Sequence, residues 1–165
     1  SCPEGSATFR TESPAHFGEL PFEVVHITEL LAEAIGEGDL AFAEGPELTV
    51  TFQDPCRLGR HMGIYDAPRE ILEAMPGVTL AEMPRSRARA ICCGVGGWMN
   101  CTSFTKQLQL ARLREAAATG ATTLVTACPK CEIHLKCAIN DETLQSETGI
   151  GITDLVALAA SRLEQ

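Results

Sequence analysis

Short β-branched or aromatic runs alternate along this chain with stretches whose apolar residues recur at helical spacing. Phe22 to His26 (Phe-Glu-Val-Val-His) reads as a strand, and Leu48 to Phe52 (Leu-Thr-Val-Thr-Phe) is the clearest one. Val78 to Leu80, Ala88 to Cys92 and Thr122 to Ala127 are further strand candidates. Thr28 can cap a helix that carries Leu30, Leu31, Ala34 and Ile35 and stops at Gly36 and Gly38. Pro68 suits the first turn of a helix with Ile71, Leu72 and Met75, closed by Pro76-Gly77. Ser103 can cap a long helix to about Ala118, with Leu108, Leu110, Ala111, Leu113 and Ala117 as its apolar positions and Gly120 as its stop. Pro129 opens a helix through Ile133, Leu135 and Ala138, and a last helix covers Asp154 to Leu163. This alternation predicts an α/β fold, a mostly parallel sheet with flanking helices.

The pattern also contains an internal echo. Ser1-Cys2-Pro3-Glu4-Gly5 resembles Ala127-Cys128-Pro129-Lys130-Cys131. Ile27-Thr28-Glu29-Leu30-Leu31-Ala32 starts 25 residues after Cys2, and Ile152-Thr153-Asp154-Leu155-Val156-Ala157 starts 24 after Cys128. Two landmarks at nearly equal separation predict a duplicated unit of roughly 125 residues. On that reading residues 1–46 are the tail of a first unit, a strand plus a helix, and 47–165 are a complete second one.

Composition narrows the function. The chain has 165 residues, 45% hydrophobic and 21% charged, which suits one domain with a real core. Its net charge of −9 argues against nucleic acid as the main partner. No apolar run approaches the roughly 20 residues of a membrane span, and Ser1-Cys2-Pro3-Glu4-Gly5 makes no signal peptide. With no initiating Met, the N-terminus reads as processed or cut. These features predict a cytoplasmic protein, peripheral to a membrane complex at most. The 8 cysteines stand out, and in such a chain they point to metal or redox chemistry rather than to disulfide staples.

Cys56 stands alone, 35 residues separate it from Cys92-Cys93, and 34 more lead to Cys128 of a C-x-x-C that ends at Cys131. Each group follows a predicted strand, so in a parallel sheet all three converge on the carboxyl edge, where such folds place their ligands. Five thiolates exceed what a four-cysteine zinc site or a cubane iron–sulfur cluster requires. The excess leaves an unusual cluster, a bridging ligand, or a free thiol beside a four-ligand metal. Gly94-Val95-Gly96-Gly97 forms a loop able to approach a cluster closely and aim its amides at sulfur. It lacks G-x-G-x-x-G spacing and a P-loop Lys, which weighs against a nucleotide.

The spacing resembles the CCG domain of heterodisulfide reductase catalytic subunits and related iron–sulfur oxidoreductases. Gln53-Asp54-Pro55-Cys56-Arg57-Leu58-Gly59-Arg60-His61 and Gly63-Ile64-Tyr65-Asp66-Ala67-Pro68-Arg69 are similar to the segment that family carries around its first cysteine. The resemblance implies a non-cubane [4Fe-4S] cluster held by Cys56, Cys92, Cys93, Cys128 and Cys131 beside Gly94, Gly96 and Gly97, with zinc as the alternative occupant. It implies reduction of a disulfide, or oxidation of thiols, with electrons from ferredoxin- or flavin-type partner subunits, and Cys93 and His61 are the candidate catalytic residues. Two alternatives follow. One is an electron-relay subunit of a quinone-linked 2-hydroxy-acid or glycerol-3-phosphate dehydrogenase. The other is a zinc-stabilised docking module without catalysis. Members usually carry two CCG units, whereas here Cys2 matches the first cysteine of a C-P-x-C and Gly5 stands at the second. A first cluster would then need another chain or a lost N-terminal part, or this lineage works with one.

Other residues carry weaker expectations. His61 and His134 suit proton donation to a departing thiolate, against a structural role for each. Arg85, Arg87 and Arg89 read as an anion-attracting patch or a solvated loop, and Arg57 and Arg60 as counter-charges to a cluster. Trp98-Met99 reads as cleft lining or packing, Asp54-Pro55 as a turn into Cys56, Cys137 as core and Cys101 as a neighbour of the cysteine pair.

Overall fold

The computed structural model describes residues 2–95, 102–140 and 148–163. Four strands, β1 (Leu48–Gln53), β2 (Val78–Leu80), β3 (Thr123–Thr126) and β4 (Gly151–Asp154), form one sheet in the order β2-β1-β3-β4, parallel throughout. Val50 pairs with Leu80 on one side and Thr123 on the other, which fixes the register. The helices are α1 (Pro3–Ala7), α2 (Ser13–Phe17), α3 (Ile27–Glu37), α4 (Ala67–Glu73), α5 (Ser103–Ala117), α6 (Pro129–Ile139) and α7 (Leu155–Ala160). A π turn, Thr8–Glu12, joins α1 to α2.

Strand alternation sends side chains to two cores. Val50 and Phe52 of β1 and Val125 of β3 meet Ile71, Leu72 and Leu155 on one face, with Leu31 and Ile35 of α3 packed against them. Leu124 of β3 meets Leu113, Leu135 and Ala138 on the other, and Cys93, Cys128 and Cys131 belong to that second cluster. Phe52 is fully buried, so truncation to Ala would cost about 3–5 kcal/mol. The connection after β1 runs through α4 on the first face, and the one after β3 through α6 on the second. Neighbouring strands whose exits diverge leave a crevice at their carboxyl ends. Cys56 and Cys128 lie at those ends.

Two predicted strands are absent. Phe22 to His26 is irregular chain that begins in a bend and pairs with no described strand, and its Val24 carbonyl accepts from Arg10 Nε at 2.5 Å. His26, rather than Thr28, caps α3: its ring accepts from the Thr28 amide at 3.3 Å, and Glu29 reaches back to the His26 amide at 2.9 Å. Ala88 to Cys92 is a 3-10 turn (Arg87–Arg89) followed by irregular chain. There the carbonyls of Ala90 and Ile91 are taken by side chains, Arg60 and Gln53 respectively.

Thr102, rather than Ser103, caps the long helix α5, its hydroxyl accepting from the Thr105 amide at 3.2 Å. Of its expected apolar positions it buries only Leu113; Leu108, Leu110 and Ala117 are half-buried and Ala111 is exposed, and Thr105, Gln109, Arg112 and Ala116 are buried in their place. Thr51 and Gln53 point to that side of β1 and are themselves buried, so a polar helix face meets a polar strand face. Arg112 Nε donates to Gln53 Oε1, and Arg112 Nη1 donates to Glu115 at 3.0 Å and to the Arg85 carbonyl at 2.9 Å. The sequence pattern assigns none of α1, α2 and β4. β4 has only four residues and ends in Asp154, which caps α7 by accepting from Val156 N at 2.8 Å.

Candidate metal centre

The loops at the crevice are built by local sequence. Past β1, Asp54-Pro55 leads into a turn closed by Gly59 N to Pro55 O at 2.9 Å and His61 N to Cys56 O at 3.2 Å. Gly59 is required there, since a Cβ would stand 2.4 Å from the Tyr65 ring. Past β3, Cys128 occupies the cap position of α6, Pro129 its first turn, and Cys131 lies one turn in, facing the same core. The Cys92-Cys93 segment has no regular structure and hangs on the Gln53 and Arg60 bonds. Arg87 adds to them through its amide, which donates to Asp54 Oδ2 at 2.7 Å.

Asp54 is more than a turn residue. It is 4% exposed and receives Arg69 Nη1 and Nη2 on its two oxygens at 2.9 and 3.0 Å, a buried bidentate pair. Arg69 also holds Glu82 and the Tyr65 carbonyl. The network ties the Cys56 turn, the start of α4 and the loop before Cys92 into one unit.

Cys56, Cys92, Cys93, Cys128 and Cys131 line one cavity of about 200 Å³, together with Pro55, Val95, Arg57, His61, Lys130 and Glu4. The thiols touch in series, Cys56 to Cys92, Cys92 to Cys93, Cys93 to Cys131 and Cys131 to Cys128. Their mutual contact sets the protonation order. Cys56 is raised by its bond to Cys92, by burial and by the charge of that neighbour. Cys131 is raised by donating to Cys128 and to Cys93 and by burial. For Cys93 the bond from Cys131 pulls down, but Cys92 and burial outweigh it and push the thiol up to about 12. Cys128 goes the other way, down to about 7, because the Cys131 thiol and the Cys131 and Lys130 amides donate to it against the opposing burial.

Among the described residues no group of three His, Cys, Asp or Glu side chains closes on a single ion. An all-sulfur donor set lining one cavity, with thiols that oppose one another's ionisation, fits a cationic group held by thiolates.

Gly94 closes the site from the chain side. Its φ is +93°, its amide donates to Cys92 Sγ at 3.4 Å, and a Cβ would meet Thr105 O at 3.1 Å and His134 Nε2 at 3.2 Å. His134 is buried behind Gly94 and does not line the cavity. Burial lowers its pKa, against the Cys92 charge and a bond to the Gly94 backbone. His61 does line it, exposed, with Nδ1 3.3 Å from Arg57 Nη1. A guanidinium only donates, so Nδ1 accepts and the neutral ring carries its proton on Nε2.

Arg57 stands at the mouth, whereas Arg60 is turned onto the Ala90 carbonyl. The patch of three arginines does not line the cavity. Arg85 pairs with Glu115 at 3.0 Å, Arg87 with Asp66 at 2.6 Å, and Arg89 is exposed. Cys2 caps α1, and Cys137 is half-buried beside a shallow surface hollow rather than in the core. Gly96, Gly97, Trp98, Met99 and Cys101 lie outside the described residues. Sequence reasoning missed Glu4 and Lys130, which form an ion pair at the mouth. Lys130 was findable inside Cys-Pro-Lys-Cys. Only the internal echo, which sets Glu4 opposite Lys130, hinted at its partner.

The sequence pattern of the CCG cysteine-rich domain matches residues 50–136, a span that includes all five of these cysteines. The chain belongs to the CCG family. This CCG domain is 37% identical over 147 residues to one of the subunits of the dihydromethanophenazine:CoB–CoM heterodisulfide reductase of Methanosarcina barkeri, covering 88% of the chain and 35% of the relative. It is 42% identical over 161 residues to the "Probable iron-sulfur-binding oxidoreductase FadF" of Bacillus subtilis, covering 96% of the chain and 22% of FadF. With the EtfAB:quinone oxidoreductase of Syntrophomonas wolfei it shares 33% identity over 139 residues, 79% of the chain and 19% of that protein. The CCG domain thus spans about a third or less of the curated relatives it matches, which by name are oxidoreductases or their subunits. No helix among its described residues is long and apolar enough to cross a membrane.

Proposed function

We propose that this CCG domain is the cluster-binding part of an iron–sulfur oxidoreductase of heterodisulfide-reductase type. Cys56, Cys92, Cys93, Cys128 and Cys131 would hold a non-cubane [4Fe-4S] cluster. The observation that carries the reading is that five thiols from three distant segments line one cavity at the carboxyl edge of the sheet. When bound, such a cluster supplies electrons singly to a sulfur atom. The overall step is R–S–S–R′ + 2 e⁻ + 2 H⁺ → RSH + R′SH, or its reverse, with the electrons delivered by ferredoxin- or flavin-type partner subunits. The names of the relatives, a heterodisulfide reductase component and iron–sulfur or quinone-linked oxidoreductases, support this class.

The chain's own residues have separate tasks. Cys93 lies deepest of the pair, and Gly94 orients Cys92 through its amide. His61 lines the mouth, and its imidazolium form, in which Nδ1 no longer accepts from Arg57, would protonate the departing thiolate. Residues 1–46 are the tail of a first CCG unit. In support, Cys2 and Pro3 open α1 as Cys128 and Pro129 open α6.

Iron and acid-labile sulfide assays on anaerobically prepared protein test the reading. About four of each per chain are expected, with loss on Cys93→Ala. Stoichiometric zinc without sulfide overturns it. A cluster whose spectrum responds to quinone analogues and not to thiols assigns the domain to electron relay instead.

A further inference from the structure

The mouth of the cysteine cavity is basic in a chain of net charge −9. Arg57, His61 and Lys130 line it, and Glu4 is the one acid among its described lining residues. Each of the two fixed cations meets a carboxylate from the N-terminal helical strap, residues 3–17. Glu4 pairs with Lys130, and Glu12 stands 3.9 Å from Arg57.

The strap places those two acids together for a geometric reason. Eight residues of regular α-helix would leave Glu12 about 80° round from Glu4, at about 100° per residue. The π turn over Thr8–Glu12 advances each residue less, which brings Glu12 back toward the Glu4 side. Such turns recur at functional sites. Arg57 and Glu12 are 38% and 55% exposed, and exposed pairs of that length hold weakly. Lys130 is 19% exposed, so an anion that reaches it is screened less.

We propose that Arg57 and Lys130 anchor an anionic group on the thiol or disulfide that enters the cavity. Glu4 and Glu12 hold the same two cations while the cavity is free, so binding exchanges strap carboxylates for ligand anion. Arg57 offers a planar fork for a carboxylate, sulfonate or phosphate, and Lys130 a point charge beside the Cys128 to Cys131 turn. The inference rests on the thiol-handling function for the identity of the ligand, but the charge exchange at the mouth can be read without it.

Two thiols of similar size, 3-mercaptopropionate and 2-mercaptoethanol, separate charge from sulfur. Titrated against the spectrum of the protein as isolated, the anionic thiol binds more tightly. Lys130→Met and Arg57→Met each weaken it about tenfold and leave the neutral thiol unchanged. Glu4→Gln, a substitution of a partly exposed side chain, tightens the anionic thiol several-fold, and it keeps the test open if a cation variant assembles poorly.

In the same preparations, iron and sulfide are counted, and cavity cysteines are alkylated with iodoacetate against iodoacetamide. A chain without a cluster refutes the proposed function. Its alkylation ratio still reports the mouth, rising in Glu4→Gln and falling in Lys130→Met. Equal changes for charged and neutral probes, or no response to Glu4→Gln in either assay, would overturn the anion-anchoring role.

Discussion

Arg69→Met strips the partner from a buried carboxylate. Both members of the Asp54–Arg69 pair are 4% exposed, and the guanidinium also holds Glu82, the Tyr65 carbonyl at 2.7 Å and the face of Phe52 at 5.4 Å. Methionine fills much of the space of the stem but leaves the Asp54 carboxylate buried, with the Arg87 amide still donating to it at 2.7 Å. Removing one partner of a buried pair costs about 3–5 kcal/mol, because the other charge stays desolvated. With a urea slope of about 2 kcal/mol/M, the midpoint should fall by roughly 1.5–2.5 M. For a chain of this size the melting temperature should fall by roughly 6–20 °C. Asp54→Leu combined with Arg69→Met should lose less than the sum of the two single changes, as expected for groups in contact. Because Asp54 leads directly into Pro55 and Cys56, iron retained per chain should fall in parallel. A single-variant loss below about 1 kcal/mol would refute the claim that the pair is dry and coupled.

Gly94→Ala should lose about 1–2 kcal/mol from its left-handed backbone alone, and more from crowding Thr105 O and His134. Urea unfolding and iron content check it, and unchanged values of both would remove Gly94 from the site. Burial favours the neutral form of Glu115, yet donors from Arg85 and Arg112 hold its carboxyl below the ordinary range. Its contribution is complete above the unfolded value of about 4.3 and is lost as pH falls through the lower folded value. Glu115→Gln should therefore flatten the acid side of the stability profile, and superimposable profiles would count against the pairing. In the metal-free chain, alkylation of Cys128 should rise with a midpoint near the value of about 7 set by its donors, and Cys131→Ala should move it upward. A midpoint at the free-thiol value of about 8.5 in the unsubstituted chain would contradict the geometry.

β1 was legible because its apolar residues alternate between turn residues, and β3 because a short run rich in β-branched residues stands between Gly120 and Pro129. The helices opened by Pro68 and Pro129 were legible because proline fits a first turn. Phe22 to His26 and Ala88 to Cys92 have the same strand composition but no described strand beside them, and composition cannot report that a side chain such as Arg10, Gln53 or Arg60 takes the carbonyls instead. The buried face of α5 was misread because burial there follows polar complementarity. Arg112 is inside on account of Gln53 and Glu115, and no hydrophobic period announces it. The gathering of Cys56 and Cys128 at one sheet edge followed from the strands before them, whereas Cys92-Cys93 arrives on an irregular loop held by Gln53 and Arg60 in place of the expected strand. The Asp54–Arg69 pair and the Glu4–Lys130 contact depend on partners that only the folded chain brings together.

The bonds from Gln53, Arg60 and Asp54 to the irregular loop have a consequence for the order of assembly. They join protein to protein, so the backbone entropy of placing Cys56 beside Cys92 is lost on folding and not on loading. Small metal-dependent domains that are unfolded until they bind gain their structure from the ion. Here the stripped chain should keep its sheet and its protease resistance, and a scaffold protein could deliver inorganic cargo to an already shaped receptacle. Loading would then be limited by how fast thiols exchange ligands, with little further ordering of the described loops.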